Sequence, residues 1–247
     1  MSVVRLAELM QARRPCVVLT GAGISTESGI PDFRSPGGIW AEYDPMEYAT
    51  IDAFLADPAK VWDFYSKRLT LLGSAEPNDG HRALAELEER DWVRAVITQN
   101  IDRLHRKAGS ENVVEVHGSI EWSVCPECGA RVGIERVIEK LRAGVGTPEC
   151  EACITPLKPD VVLFGELLPE EAMSEAFALA SEADVMVAIG SSLEVYPVAS
   201  LPGVTLENGG CLALVTQGRT PYDADAEVKL TGDVVDELDA VLEALDR

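Results

Sequence analysis

The chain has 247 residues, enough for one large domain or one domain carrying an insertion. Hydrophobic residues make up 47% and charged residues 26%, the balance of a soluble globular protein with a sizeable core, which excludes disordered and fibrous classes. With 42 acidic against 21 basic residues the net charge is -21, which works against nucleic-acid and anionic-membrane partners and favours basic ones such as Lys-rich protein segments, or serves solubility alone. Residues 1–10 do not read as a signal peptide, and the first apolar run, 16–19, is far too short to span a bilayer. A cytoplasmic location is therefore expected.

Short apolar runs rich in β-branched residues recur at 16–20, 95–98, 113–116, 161–164, 185–189 and 211–215, and each reads as a buried strand. Helical patterns lie between several of them. Residues 58–72, 81–90 and 234–245 carry helical periodicity, and 169–182 adds Pro169 and acids in its first turn. Strands alternating with helices predict an α/β fold, a doubly wound, Rossmann-like parallel sheet. Two stretches break the alternation: 36–73, rich in aromatics and ending in a helix, and 121–157, which holds four cysteines. We read the chain as a nucleotide-binding lobe of 1–35, 74–120 and 158–247, a helical insertion of 36–73 and a metal-binding module of 121–157. The insertions are expected to form one smaller lobe.

Cys125/Cys128 and Cys150/Cys153 are two C-x-x-C pairs, and a helix over 134–142 fits the link between them. That link is slightly longer than the roughly 15–20 residues of the zinc template. Each C-x-x-C turn presents two thiolates on one side, and four sulfurs leave no open position for water, so one structural Zn²⁺ per chain is expected. Cys16 and Cys211, inside apolar runs, read as small core residues.

The first strand runs into Gly21-Ala22-Gly23-Ile24-Ser25-Thr26-Glu27. A strand, a G-x-G turn and a helix start suit a dinucleotide pyrophosphate, although Thr26 stands where a third glycine is usual; a plain tight turn fits the loop equally well. Polar loops follow at Ser28-Gly29-Ile30-Pro31-Asp32-Phe33-Arg34, Thr98-Gln99-Asn100-Ile101-Asp102 and Val116-His117-Gly118-Ser119, the last two just past strands. Loops at the strand ends of an open α/β sheet converge on the ligand crevice.

Taken together, residues 21–34, 98–105, His117-Gly118, the four cysteines, Phe164-Gly165-Glu166 and Gly190-Ser191-Ser192-Leu193 resemble the sirtuin family, in family order across nearly the whole chain. The resemblance implies an NAD-dependent protein-lysine deacylase that moves an acyl group from lysine to ADP-ribose and releases nicotinamide. By position it implies that Gly21, Ala22, Gly23, Thr26, Asp32, Phe33 and Arg34 contact NAD. Gln99 would face the nicotinamide ribose, and Asn100, Ile101 and Asp102 the nicotinamide end. Gly190, Ser191, Ser192, Thr216, Gln217, Gly218 and Val234 would hold the adenosine side. His117 would be the general base, with Asn100 also catalytic. Phe164, Gly165 and Glu166, with Glu194-Val195-Tyr196 opposite, would sandwich an acyl-lysine peptide as an added strand. Two positions depart from the family pattern. Lys158 stands for the usual arginine, with little effect expected. Thr216 stands for an asparagine at the adenosine ribose, where its hydroxyl can make one hydrogen bond.

Tyr65 and Arg68 are three apart on the expected helix and so share a face. With Ala49 they resemble the acyl pocket of the class III sirtuins, which remove succinyl, malonyl and similar acidic groups; acetyl-lysine remains open. The same scaffold also suits an ADP-ribosyltransferase or NAD-glycohydrolase, and a zinc-ribbon adaptor is the reading from a different class.

Overall fold

The computed structural model describes residues 2–246. Its elements in chain order are α1 (Val3–Ala12), β1 (Cys16–Thr20), a 3-10 turn (Ala22–Ser28), a second one (Ile39–Ala41), α2 (Pro45–Tyr48), α3 (Ile51–Ala56), α4 (Pro58–Ser74) and α5 (Asp79–Glu89). Then come β2 (Ala95–Thr98), α6 (Leu104–Ala108), β3 (Val113–Glu115), β4 (Gly118–Val124), β5 (Arg131–Gly133), α7 (Ile134–Arg142), β6 (Lys158–Val161) and α8 (Glu170–Glu182). The chain closes with β7 (Val185–Ile189), a third 3-10 turn (Val198–Ser200), α9 (Leu201–Glu207), β8 (Cys211–Val215), β9 (Val228–Leu230) and α10 (Val234–Leu245).

Six strands form one parallel sheet in the order β3-β2-β1-β7-β8-β9. The order reverses between β1 and β7, and that switch point is where an open α/β sheet places its ligand. Alternate residues of each strand feed two different cores. Cys16, Val18, Val96, Val187 and Ala213 pack with Leu6, Leu84 and Leu238 of α1, α5 and α10. Val17, Leu19, Ile97, Met186 and Leu214 pack with Ala176, Leu179 and Leu201 of α8 and α9. Burial on both faces is why these strands read as unbroken apolar runs.

Helix starts follow their caps. Asp57 accepts from the backbone N–H of Lys60 with Pro58 in the first turn of α4, Asn78 accepts from His81 N at α5, and Asp233 accepts from Val235 N at α10. A separate antiparallel sheet, β5-β4-β6, carries the cysteine pairs. One apolar cluster joins it to the helical insertion: Phe54, Val61, Trp62 and Phe64 pack with Cys125, Val137, Cys150 and Leu157, and the indole N–H of Trp62 donates to Leu157 O at 2.7 Å.

Two expectations are corrected. The run 161–164 is not a strand of the parallel sheet: β6 spans Lys158–Val161 and pairs with β4 in the small sheet. Val161 and Leu163 are apolar because they are buried in the core shared by the small sheet and the helical insertion, not because they lie in the main sheet. The segment after β1 is a 3-10 turn and not the start of an α-helix. Among the described residues no helix is long and apolar enough to cross a membrane.

Candidate active site

A cavity of about 610 Å³ opens at the β1/β7 switch point, between the parallel sheet and the small lobe, within the size range of ligand sites. Its wall takes in the NAD and acyl-lysine positions named from the sequence, except Glu194. Gly21, Ala22, Gly23, Thr26, Asp32, Phe33 and Arg34 come from the segment after β1. Gln99, Asn100, Ile101 and Asp102 follow β2, and His117 lies between β3 and β4. Gly190, Ser191, Ser192 and Val195 follow β7, Thr216, Gln217 and Gly218 follow β8, and Val234 starts α10. Ala49, Tyr65 and Arg68 come from the helical insertion, and Phe164, Gly165 and Glu166 from the strand-free stretch after β6.

The glycines also do a packing job that the sequence does not show. A Cβ on Gly21 would meet Gly190 O at 2.8 Å, and one on Gly23 would meet Gly190 Cα at 2.8 Å. Gly190 itself sits at φ 60°, where its own Cβ would fall 2.5 Å from Ile24 N. The three let the ends of β1 and β7 touch, with Gly23 N–H donating to Gly190 O at 2.9 Å. The loops above are then tied across this seam. The Gln99 amide donates to Ser191 Oγ at 2.8 Å, and Arg34 reaches Glu194 at 3.5 Å. One oxygen of Asp32 accepts from the N–H groups of Arg34 and Ser35, so that carboxylate also shapes its own loop.

His117 is fixed by two contacts. Its carbonyl accepts from Val162 N at 2.9 Å, and its Nδ1 lies 3.0 Å from Gln99 O. A carbonyl only accepts, so Nδ1 carries the proton and the neutral ring keeps its lone pair on Nε2. Burial pushes the His117 pKa below its ordinary value, and the Gln99 contact opposes that in part. The imidazole is thus uncharged near pH 7 and able to take a proton.

At the other end of the cavity, Arg68 lies over Phe33 and Phe64, its guanidinium carbon 5.4 Å and 5.5 Å from the ring centroids. Burial pulls its pKa down, and the one charged or titratable neighbour that counts is Tyr65; no carboxylate among the described residues pairs with it. Burial raises Tyr65 to about 12, so its phenol is a neutral donor. Glu166 is occupied differently: its Oε2 accepts from Lys158 Nζ at 3.0 Å and from Leu163 N at 2.8 Å. Lys158 completes its three donors on Pro159 O and Val161 O, so an ammonium fills this buried position without an unused N–H. Phe164 spends its own N–H and carbonyl on Ala49 O and Ile51 N, joining the helical insertion to the segment that continues through Gly165.

Sequence reading missed several wall residues. Trp40, Phe64, Leu72 and Leu163 were visible only as apolar content, and Ser25 as one letter of the glycine loop. Ser25 proves central: its Oγ lies 2.7 Å from Asp102 Oδ2 and 3.2 Å from Asn100 Nδ2.

The four cysteine sulfurs lie within 4.8 Å of one another, with Cys128 and Cys150 at 3.8 Å. A tetrahedron with Zn–S near 2.3 Å has an edge of about 3.8 Å, so the set fits zinc. The two turns match. Gly129 N and Ile154 N return to Cys125 O and Cys150 O, each at 2.9 Å, and both Gly129 and Ile154 adopt positive φ. The sulfurs sit on turns beside the small sheet, apart from the cavity wall, so a zinc ion held there would be structural.

The profile of the Sir2 family matches residues 21–197. The chain is 44% identical over 243 residues to an NAD-dependent protein deacetylase of Thermotoga maritima, in an alignment covering 98% of each chain. It is 43% identical over 242 residues to NAD-dependent protein deacylase 2 of Pyrobaculum aerophilum, covering 98% of this chain and 95% of that one. A Sir2 structure holding a deacetylated p53 peptide and 3′-O-acetyl ADP-ribose superposes with a TM-score of 0.94 at 43% identity, covering 98% of both chains. These relatives align with the chain nearly from end to end, and the chain, with its six-stranded parallel sheet, four-cysteine lobe and cavity at their junction, belongs to the Sir2 family, the sirtuins.

Proposed function

We propose that this sirtuin is an NAD-dependent protein-lysine deacylase that prefers acidic acyl groups such as succinyl and malonyl. The family supports NAD-dependent deacylation. The observation that carries the acyl preference is Arg68, a cation on the cavity wall with no carboxylate partner among the described residues, beside the neutral phenol of Tyr65 and the small side chain of Ala49.

In this reading the strand-end loops bind the dinucleotide. Gly21 to Gly23, Thr26 and Arg34 take the phosphate side; Gly190 to Ser192, Thr216 to Gly218 and Val234 take the adenosine; Asn100, Ile101 and Asp102 take the nicotinamide. NAD supplies an electrophilic ribose carbon once nicotinamide departs. The chain's part is to align the weakly nucleophilic amide oxygen of acyl-lysine with it and to exclude water, with the apolar walls of Ile30, Phe33 and Leu163 serving the second task. His117 Nε2 accepts a ribose hydroxyl proton. The peptide backbone joins as a strand between the segments at Gly165 and Val195. We keep the lobe division drawn from the sequence, moving 118–120 and 158–161 into the small lobe because they form its sheet. We also place the protein in the cytoplasm, since its six cysteines are free thiols, four of them gathered for a metal.

The test is a kcat/KM comparison on one peptide carrying acetyl or succinyl lysine. A charge-assisted hydrogen bond is worth about 1.5–3 kcal/mol, so Arg68→Met should cost the succinyl substrate roughly 10- to 150-fold. Acetyl-lysine should change little. Equal losses on both would make Arg68 a packing residue and the enzyme a general deacetylase.

A further inference from the structure

At the nicotinamide end of the cavity the wall residues Asp102 and Ser25 are backed by a histidine that contact with substrate does not explain. His81 is fully buried on α5 and does not line the cavity, yet its Nε2 lies 3.4 Å from Ser25 Oγ, which in turn lies 2.7 Å from Asp102 Oδ2. We propose that Asp102, Ser25 and His81 form a buried relay holding one proton, which stands on Asp102 in the free enzyme, and that His81 is thereby a positioning residue for Asp102.

The Asn78 amide is oriented by its NH₂, which donates to Ile24 O at 2.8 Å, so its oxygen faces His81. That oxygen accepts from His81 N at 3.2 Å and lies 2.9 Å from His81 Nδ1. An amide oxygen only accepts, so Nδ1 carries a proton and a neutral His81 has a bare lone pair on Nε2. Asn100 is oriented the same way: its NH₂ donates to Gly21 O at 3.1 Å and to Ser25 Oγ at 3.2 Å. Ser25 has one hydrogen for two remaining neighbours. With Asp102 ionised, that hydrogen goes to the carboxylate, and Nε2 faces a serine lone pair with nothing between them, an unsatisfied buried acceptor. One added proton satisfies every contact. Asp102 Oδ2–H donates to Ser25 Oγ, Ser25 donates to His81 Nε2, and Asn100 fills the second lone pair of Oγ.

The proton has two places to rest, and the surroundings favour the carboxyl. On Nε2 it would make a buried imidazolium beside Arg82 and against the ring of His105, 4.9 Å away centroid to centroid. Burial already holds His81 down to about 4. His105 stays neutral as well, its Nε2 on Thr20 Oγ1 at 2.9 Å and its Nδ1 without a partner among the described residues. Burial, the largest influence, raises Asp102; the N–H of Leu104, the Ser25 hydroxyl and Lys107 pull the other way, while repulsion between Asp102 and the Glu115 carboxylate disfavours a second negative charge.

The consequence rests on the NAD reading above. A neutral acid leaves the cationic nicotinamide ring without a counter-charge at that end. An ionised Asp102 would stabilise the bound cation relative to the neutral leaving group and so oppose its departure.

The relay is tested on the NAD-free enzyme, so its failure is distinct from a failure of NAD-dependent turnover. The chain has three histidines, which makes ¹⁵N-histidine NMR assignable. At pH 7 His81 should be neutral with its proton on Nδ1, and the Asp102 carboxyl ¹³C, assigned with Asp102→Asn, should be that of a protonated acid, its titration midpoint raised well above the ordinary value of about 3.9. His81→Gln, whose amide oxygen can take the Ser25 hydrogen, should keep that midpoint. His81→Leu should lower it by about one pH unit, the worth of one hydrogen bond. A proton on His81 Nε2, an Asp102 midpoint near 4, or equal midpoints in His81→Leu and wild type would each overturn the proposal. If neither variant folds, the wild-type spectra alone decide.

Discussion

His117→Ala should lower kcat for deacylation by at least about 10²-fold, within the 10²–10⁴ range of acid–base groups, while leaving the protein folded. The expectation of a folded variant comes from position: His117 lies on the cavity wall between β3 and β4 and is only partly buried. Its one side-chain bond, Nδ1 to Gln99 O, is worth about 1 kcal/mol net. The pH profile should carry the same signature. Only the neutral ring can take a proton, and burial sets its pKa below the ordinary value. The rate should therefore hold through neutrality and fall on the acid side, below about pH 6.5. His117→Ala should lose that acid limb as well as the rate. Normal turnover by a folded variant would remove His117 from the chemistry.

Losing one zinc ligand should cost more than catalysis. Cys150→Ala, or a strong chelator, should unfold the small lobe, because the free energy of binding structural zinc is folding free energy, about 10–16 kcal/mol in zinc-finger peptides at pH 7. The effect should reach the active site. Cys125 and Cys150 share a core with Phe64 and Leu163, and those two residues also line the cavity. Elemental analysis should find one zinc per chain in protein purified under reducing conditions. Near-ultraviolet circular dichroism should lose the Trp62 environment when the metal is removed, since the Trp62 indole is hydrogen-bonded to Leu157 beside the cysteines. Metal-free protein with an unchanged spectrum would contradict the structural role.

The parallel sheet was legible where both faces of a strand are covered. β1, β2, β7 and β8 begin and end at the residues where their apolar runs do. The edge strand β9 was not, because Val228-Lys229-Leu230 is short and puts a lysine on one face, where it meets Asp223 and Gly218 O. α1 was missed because no cap marks it; Ser2 makes no side-chain cap bond, and the helix is held by its packing against α10. The run 161–164 misled because apolarity reports burial and not the sheet that does the burying. The ligand-facing loops were legible as a family pattern, and their convergence needed the strand order. Arg68 shows the limit most clearly. Tyr-x-x-Arg spacing puts two side chains on one helical face, but only the fold tells that no acid among the described residues pairs with the guanidinium. His81 read as the opening of a helix, and its place behind Asp102 depends on a contact between segments far apart in the chain.

The central claim is deacylation that consumes NAD, and mass spectrometry of acetyl, succinyl and malonyl peptides, incubated with and without NAD, tests it most directly. We expect acyl removal only with NAD, one nicotinamide released per acyl group, the acyl group recovered on ADP-ribose, and succinyl or malonyl peptide consumed fastest. Acyl removal without NAD and abolished by a chelator, or nicotinamide release that proceeds equally without peptide, would contradict the account.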